Sequence, residues 1–207
     1  MMSLHFDPWT RYTPLTQERL SVIANIIRDV RRETVLKHEP ENGDSEWCLG
    51  CRVYSRTCHG LRSAARQYDW LTILEDDKPL RFGFAIGFVP FRFYRGEADD
   101  PPSRYLMTTY AELHLQQLAL DLGVVILKDQ ILRLAVETDA TTRQVSNVIL
   151  VEMDEAKDLT GTYNIPFDIK MGNVTPLQSK GVDLPPLTLE PLKKVEEKRE
   201  KRDARAK

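Results

Sequence analysis

No stretch of this chain is apolar enough for a membrane helix, which needs roughly 18 consecutive apolar residues. The longest candidate, 80–93, is broken by Arg81, Pro90 and Arg92. The first residues hold no basic segment followed by an apolar one, so no signal peptide is expected. Net charge is also missing. Lys and Arg number 29 against 31 Asp and Glu, a formal −2. That excludes gripping nucleic acid by overall charge, although a local Arg-rich face can still meet it. Cysteine is scarce and odd in number, three in all, which argues against a disulfide framework. The sequence holds no Gly-x-x-x-x-Gly-Lys-Ser/Thr, no Gly-x-Gly-x-x-Gly and no Gly-x-Ser-x-Gly, so standard nucleotide-binding and serine-hydrolase readings have no support. Internal repeats are absent too. The expectation is a soluble, cytoplasmic protein.

What is present reads as globular. Of 207 residues, 42% are hydrophobic and 29% charged, enough for one domain with a sizeable core. Residues 1–14 are aperiodic and are expected to form an extended arm. Residues 15–168 are expected to form a single α+β domain. Residues 169–207, punctuated by proline and then almost all charge, are expected to be an extended, disordered tail. Leu20, Ile23, Ile27 and Val30 recur at helical spacing and predict a helix over 16–37, with Arg28, Arg31 and Arg32 off the apolar stripe. The run 70–74 is β-prone. Leu80, Phe82, Phe84 and Ile86 alternate with Arg81, Gly83, Ala85 and Gly87, and Phe91 and Phe93 alternate with Arg92 and Tyr94. These read as strands of an antiparallel meander. Ser103 caps a second predicted helix over 103–122, its stripe including Leu106, Tyr110, Leu113 and Leu120. Further β runs follow at 124–127, 131–137 and 145–153, with an edge strand at 162–167. The predicted architecture is an antiparallel sheet of about five or six strands with two main helices packed on one face.

The least ordinary feature is a cluster. Cys48, Cys51 and Cys58 fall within eleven residues, with His59 next and His38 ten residues before Cys48. A Cys-x-x-Cys turn can present two thiolates to one zinc, Cys58 can supply a third, and His38 or His59 a fourth. A structural zinc knuckle is one expectation. Another follows from Trp47-Cys48-Leu49-Gly50-Cys51, which resembles the active-site motif of the thioredoxin family, with Val89-Pro90 similar to that family's proline beside the active site. The resemblance implies a thiol–disulfide oxidoreductase with Cys48 as nucleophile and Cys51 as resolving thiol. In that family the motif follows a buried strand, whereas here it follows the polar loop 39–46. The ordinary alternative is that the three thiols are small buried hydrophobes.

Other groupings carry less. Arg81, Arg92 and Tyr94 flank small residues on one predicted sheet face and, with Arg95 and Arg104 of the following loop, can form a binding platform for a phosphate, a base or a partner. A solvated face, or one covered by another element, is the ordinary alternative. Glu152, Asp154, Glu155 and Lys157, with Asp139, form a weak metal-dependent hydrolase or nuclease pattern. His114, near Glu112 on the second helix, names no nucleophile to serve. With no complete catalytic constellation, the expected function is a non-enzymatic binding or adaptor protein. It would work within a larger protein or nucleoprotein assembly, bind a protein partner and stay off the membrane.

Overall fold

A computed structural model describes residues 6–74, 81–122 and 130–167. The expected strand at 124–127 and the expected tail over 169–207 lie outside the described residues.

The chain runs α1 (Pro8–Arg11), α2 (Gln17–Leu36), α3 (Glu46–Ala65), β1 (Leu71–Leu74), β2 (Gly83–Ile86), β3 (Val89–Arg95), α4 (Tyr110–Asp121), β4 (Ile131–Thr138), β5 (Val145–Met153) and β6 (Leu159–Asn164). The α+β class is as expected. The strands form one six-stranded sheet in chain order. Every pairing is antiparallel except β3–β4, which is parallel and sets Arg92 beside Arg133 and Tyr94 beside Ala135. The sheet is therefore mixed, two meanders laid side by side, rather than wholly antiparallel. A parallel join needs a crossover, and the segment carrying α4 supplies it.

The first helix matches its prediction closely. Thr16 caps α2 by accepting from the Arg19 amide at 3.2 Å. Its stripe of Leu20, Ile23, Ala24 and Ile27 is buried. Arg31, read as off the stripe, is nevertheless buried, and its Nε donates to the Arg143 carbonyl at 2.5 Å. The tip of α2 runs beneath the β4–β5 turn, so even its polar side is covered there. Burial, and then the nearby Arg95, lower the Arg31 pKa.

The second helix was not expected as such. Residues 46–65, read from the sequence only as carrying a Cys-x-x-Cys turn, form one 20-residue α-helix capped by Ser45. Gly60 obscured it, because glycine weakens a helix pattern. Its role is close packing: a Cβ built there would lie 3.0 Å from Ile26 Cγ2 on α2. The two helices form a hairpin over one sheet face. Between them and the sheet lie Cys58 and Leu61 from α3, with Phe84, Phe91, Leu134, Val148 and Leu150 from the strands. Phe84 and Phe91 stack at 5.6 Å between ring centroids, and each fully buried ring contributes about 1.5–3 kcal/mol.

The third long helix departs furthest from its prediction. Ser103–Tyr105 is a single 3-10 turn, and α4 begins only after Thr109. Thr109 and Glu112 form a capping box. Glu112 then pairs with Arg133 at 2.7 Å, both side chains buried. Arg133 also donates to the Tyr105 carbonyl at 2.6 Å and the Met107 carbonyl at 3.3 Å. Because Glu112 faces inward, Tyr110, Leu113 and Leu120 point outward and are exposed, opposite to the expected stripe. Arg133 and Arg92 alternate with Leu132, Leu134, Phe91 and Phe93, which face α2 and α3, so α4 covers the other face of the sheet. Three long helices on two faces replace the two expected on one.

The N-terminal segment is docked. Tyr12 and Leu15 are buried. The Phe6 amide donates to the Thr162 carbonyl at 3.3 Å, adding a backbone bond to β6. Tyr12 donates to Glu152 Oε1 at 2.6 Å, and Arg11 pairs with the other carboxylate oxygen.

Candidate functional site

The cysteine segment lies on α3. On α3, Cys48 occupies the third position and is half-buried, Cys51 one turn later is exposed, and Cys58 is buried. Burial pushes the Cys58 thiol up to about 11, an inert packing thiol. His59 is exposed beside it. The His38 side chain is 2% exposed, with Nδ1 3.5 Å from Asp44 Oδ2 and no hydrogen-bond partner. Asp44 accepts the Glu39 amide at 3.0 Å and pairs with Arg52; these contacts hold its carboxyl below the usual range. Arg52 Nη2 lies 3.5 Å from Cys48 Sγ. His38, Asp44, Cys48 and Arg52 thus meet at the α2–α3 turn, while Cys51 is exposed one turn after Cys48 and Cys58 and His59 lie about two turns beyond it along α3. Among the described residues, no three His, Cys, Asp or Glu side chains group to hold a metal ion.

The Arg and Tyr residues come together, but beneath cover. Arg92 and Tyr94 are buried under the segment 96–109. Tyr105 packs on Tyr94 at 5.5 Å, and the guanidiniums of Arg92 and Arg104 each lie 4.9 Å from its ring centroid. Arg92 Nη1 donates to the Arg104 carbonyl at 3.2 Å, and its Nε has no partner. The sheet face is covered by another element, so Arg92 and Tyr94 offer no open platform. Arg104 is exposed, and Arg81 is half-buried just before β2.

Glu152 is drawn inward by Tyr12 and Arg11, away from Asp154 and Lys157. Burial, then the Glu152 contact, raises the Tyr12 pKa. Asp154 and Asp139 close local turns, accepting backbone amides of Asp158 and of Thr141 and Thr142.

Arg95 belongs elsewhere, and sequence reasoning did not place its surroundings. A cleft of about 610 Å³ opens between the loop after β3 and the strands β4–β6, lined by Arg95, Glu97, Asp99, Glu137, Ser146 and Thr162 among others. That volume lies in the range of small-ligand pockets. Gly96 shapes its floor: φ of +151° is glycine's territory, and its amide donates to the Val136 carbonyl at 3.2 Å, extending the parallel ladder. The Tyr94 hydroxyl donates to the Glu97 carbonyl at 3.1 Å, pinning the loop. Glu137 is steadied by Asn147 Nδ2 at 2.8 Å. The lining carries three carboxylates against one guanidinium. Burial raises the Tyr94 pKa, and the charges of Asp99, Glu137 and Asp100 raise it further, which marks the negative potential there. The charged loop 95–104 was noted in the sequence; the missing signal was the parallel β3–β4 pairing that brings Glu137 beside it.

Among the described residues no helix is long and apolar enough to cross a membrane. No protein-family model, curated protein or solved structure matches this chain. The fold and its sites define an α+β chain with an acid-lined cleft at the open end of a mixed sheet.

Proposed function

We propose that the protein is a non-enzymatic binding or adaptor component that takes a basic segment of a partner protein in the cleft beneath residues 95–99. The observation that carries this reading is the lining: among the described residues, Glu97, Asp99 and Glu137 line one cavity against a single cation, Arg95. A Lys or Arg side chain entering there meets carboxylates already steadied by Asn147 and by the loop. Charge-assisted hydrogen bonds of this kind are about twice as strong as neutral ones. The same potential disfavours phosphate, so a nucleic-acid partner would have to use another surface.

A peptide array probed with the purified chain tests the reading. Lys- or Arg-containing peptides should dominate the hits, and their affinity should fall tenfold or more, by roughly 1.4 kcal/mol, in Glu97→Lys/Asp99→Lys. Selection of acidic or apolar peptides, or indifference to that reversal, refutes it.

A thiol–disulfide reading has one observation in its favour. Cys48 sits in the first turn of α3 with Arg52 beside its sulfur and exposed Cys51 one turn away. Insulin reduction by the purified chain tests it; loss of turnover in Cys48→Ser would be required.

A further inference from the structure

The outward face of α4 has no partner among the described residues. Tyr110 is 78% exposed, Leu113 55%, Leu122 62%, and Met107 just before the helix 63%. Leu118 and Leu120 are exposed too. Scattered exposed apolar residues are ordinary, but Tyr110, Leu113 and Leu120 lie within about 80° of one another around the helix, and a grouped set of this kind marks an interaction surface. The helix cannot turn this set inward, because Glu112 and Arg133 fix its rotation.

The arrangement of the face identifies the occupant. At 100° per residue, Leu113 and Leu120 lie on one flank, and exposed His114 and Asp121 share a strip on the other side of the midline. Each pair is spaced by seven residues. Leu113 and Leu120 are centred between 116 and 117, His114 and Asp121 between 117 and 118, so the two centres straddle Gln117 by half a residue each. When two antiparallel helices are related by a twofold axis, side chains on the same flank, equidistant from the axis, meet each other. A twofold at Gln117 therefore brings Leu113 against Leu120 of a second copy and His114 against Asp121 of that copy, each contact occurring twice. The helix dipoles also oppose favourably. A face that complements itself in both its apolar and its charged positions fits an isologous interface, the commonest kind in symmetric oligomers.

We infer that the chain forms a twofold homodimer through antiparallel pairing of α4, centred on Gln117. The inference is independent of the cleft, which lies at the far edge of β3 and along β4–β6. A helix of about 18 Å falls at the low end of the areas stable interfaces bury. Dissociation constants of about 1–100 µM are expected.

Sedimentation equilibrium of the purified full chain tests this across about 5–200 µM, a range spanning the expected constant. The expected result is reversible association to twice the mass of the 23.9 kDa chain. Leu113→Glu/Leu120→Glu should be monomeric throughout, with unchanged circular dichroism because both side chains are already exposed. His114→Asp should weaken the dimer at least fivefold by setting carboxylates together, and His114→Asp/Asp121→His should restore it. Gln117→Cys in a Cys48→Ser/Cys51→Ser background should cross-link to itself under mild oxidation. A chain that stays monomeric at the highest concentration overturns the inference, including one that binds a different protein through this face. So does a dimer indifferent to the Leu113/Leu120 change, or a charge swap that fails to restore what His114→Asp removes.

Discussion

Replacing Glu112 with Gln should be among the most damaging single changes in the protein, and more damaging than removing its partner. Two guanidiniums, Arg92 and Arg133, lie side by side across the parallel β3–β4 pair, both buried, with Glu112 the carboxylate bonded between the sheet and α4. Burial lowers the Arg133 pKa, Glu112 opposes that, and Arg92 adds to it. Glu112→Gln leaves two buried like charges with nothing to balance them. Gln can also accept at only one of two positions, so its amide N–H faces either Arg133 Nη1 or the Thr109 amide, where carboxylate oxygens now accept at 2.7 Å each. Breaking a buried pair from one side costs about 3–5 kcal/mol. At this chain length each kcal/mol moves Tm by about 2–4 °C, so a fall of roughly 6–20 °C is expected. Arg133→Met also orphans the Tyr105 carbonyl, at about 1–3 kcal/mol, while the Met107 carbonyl keeps Arg92 Nη1 at 3.4 Å; it leaves Glu112 with Arg92 close by and no net buried charge. Urea melts of wild type and both variants decide the matter. A Glu112→Gln cost below about 1 kcal/mol, or an Arg133→Met cost exceeding it, would refute the argument that charge imbalance governs this contact.

Thiol titration should find Cys51 reacting quickly and Cys58 not at all until the chain unfolds; equal rates for the two would contradict the burial of Cys58. Because burial raises the Cys58 pKa from 9.0 to about 11, its contribution to stability is full below pH 9 and is lost as pH rises from 9 to 11. Melts of Cys58→Ala should accordingly converge on wild type across that window. Gly60→Val should cost about 1–3 kcal/mol by forcing α2 and α3 apart at Ile26, read as a shift in urea midpoint at constant slope. Gly96→Ala should cost about 1–2 kcal/mol, since its φ of +151° is strained for any side chain, and should weaken peptide binding in the cleft alongside.

The fold was legible where a single periodicity dominated. The α2 stripe and the alternation of Phe84 and Ile86 were set by burial on one face, and the structure keeps them. The α4 register was not legible. Leu106, Tyr110, Leu113 and Leu120 made a plausible stripe, but a buried Glu112 outweighs exposed leucines once Arg133, 21 residues away, supplies its charge. Pairwise contacts at such range leave no periodic trace. The α3 helix hid behind two glycines and a motif that drew attention to chemistry; Ser45, a sound cap three residues before Cys48, was the overlooked signal. Of the site residues, Arg95 was named but the cleft was not, because Glu137 reaches it only through the parallel join.

The docking of the N-terminal segment has a consequence for synthesis. Tyr12 and Arg11 find Glu152, and Phe6 finds Thr162, about 140 residues later in the chain. At roughly 5–20 residues per second, a nascent chain carries its first dozen residues undocked for on the order of 7–30 s. Throughout that time Tyr12 has no Glu152 on β5 to donate to. The α2–α3 hairpin can close locally meanwhile, but the far edge of the domain cannot be sealed until its last strands emerge. A ribosome stalled before β5 would therefore hold a chain in which residues 6–12 still lack the strands they dock on.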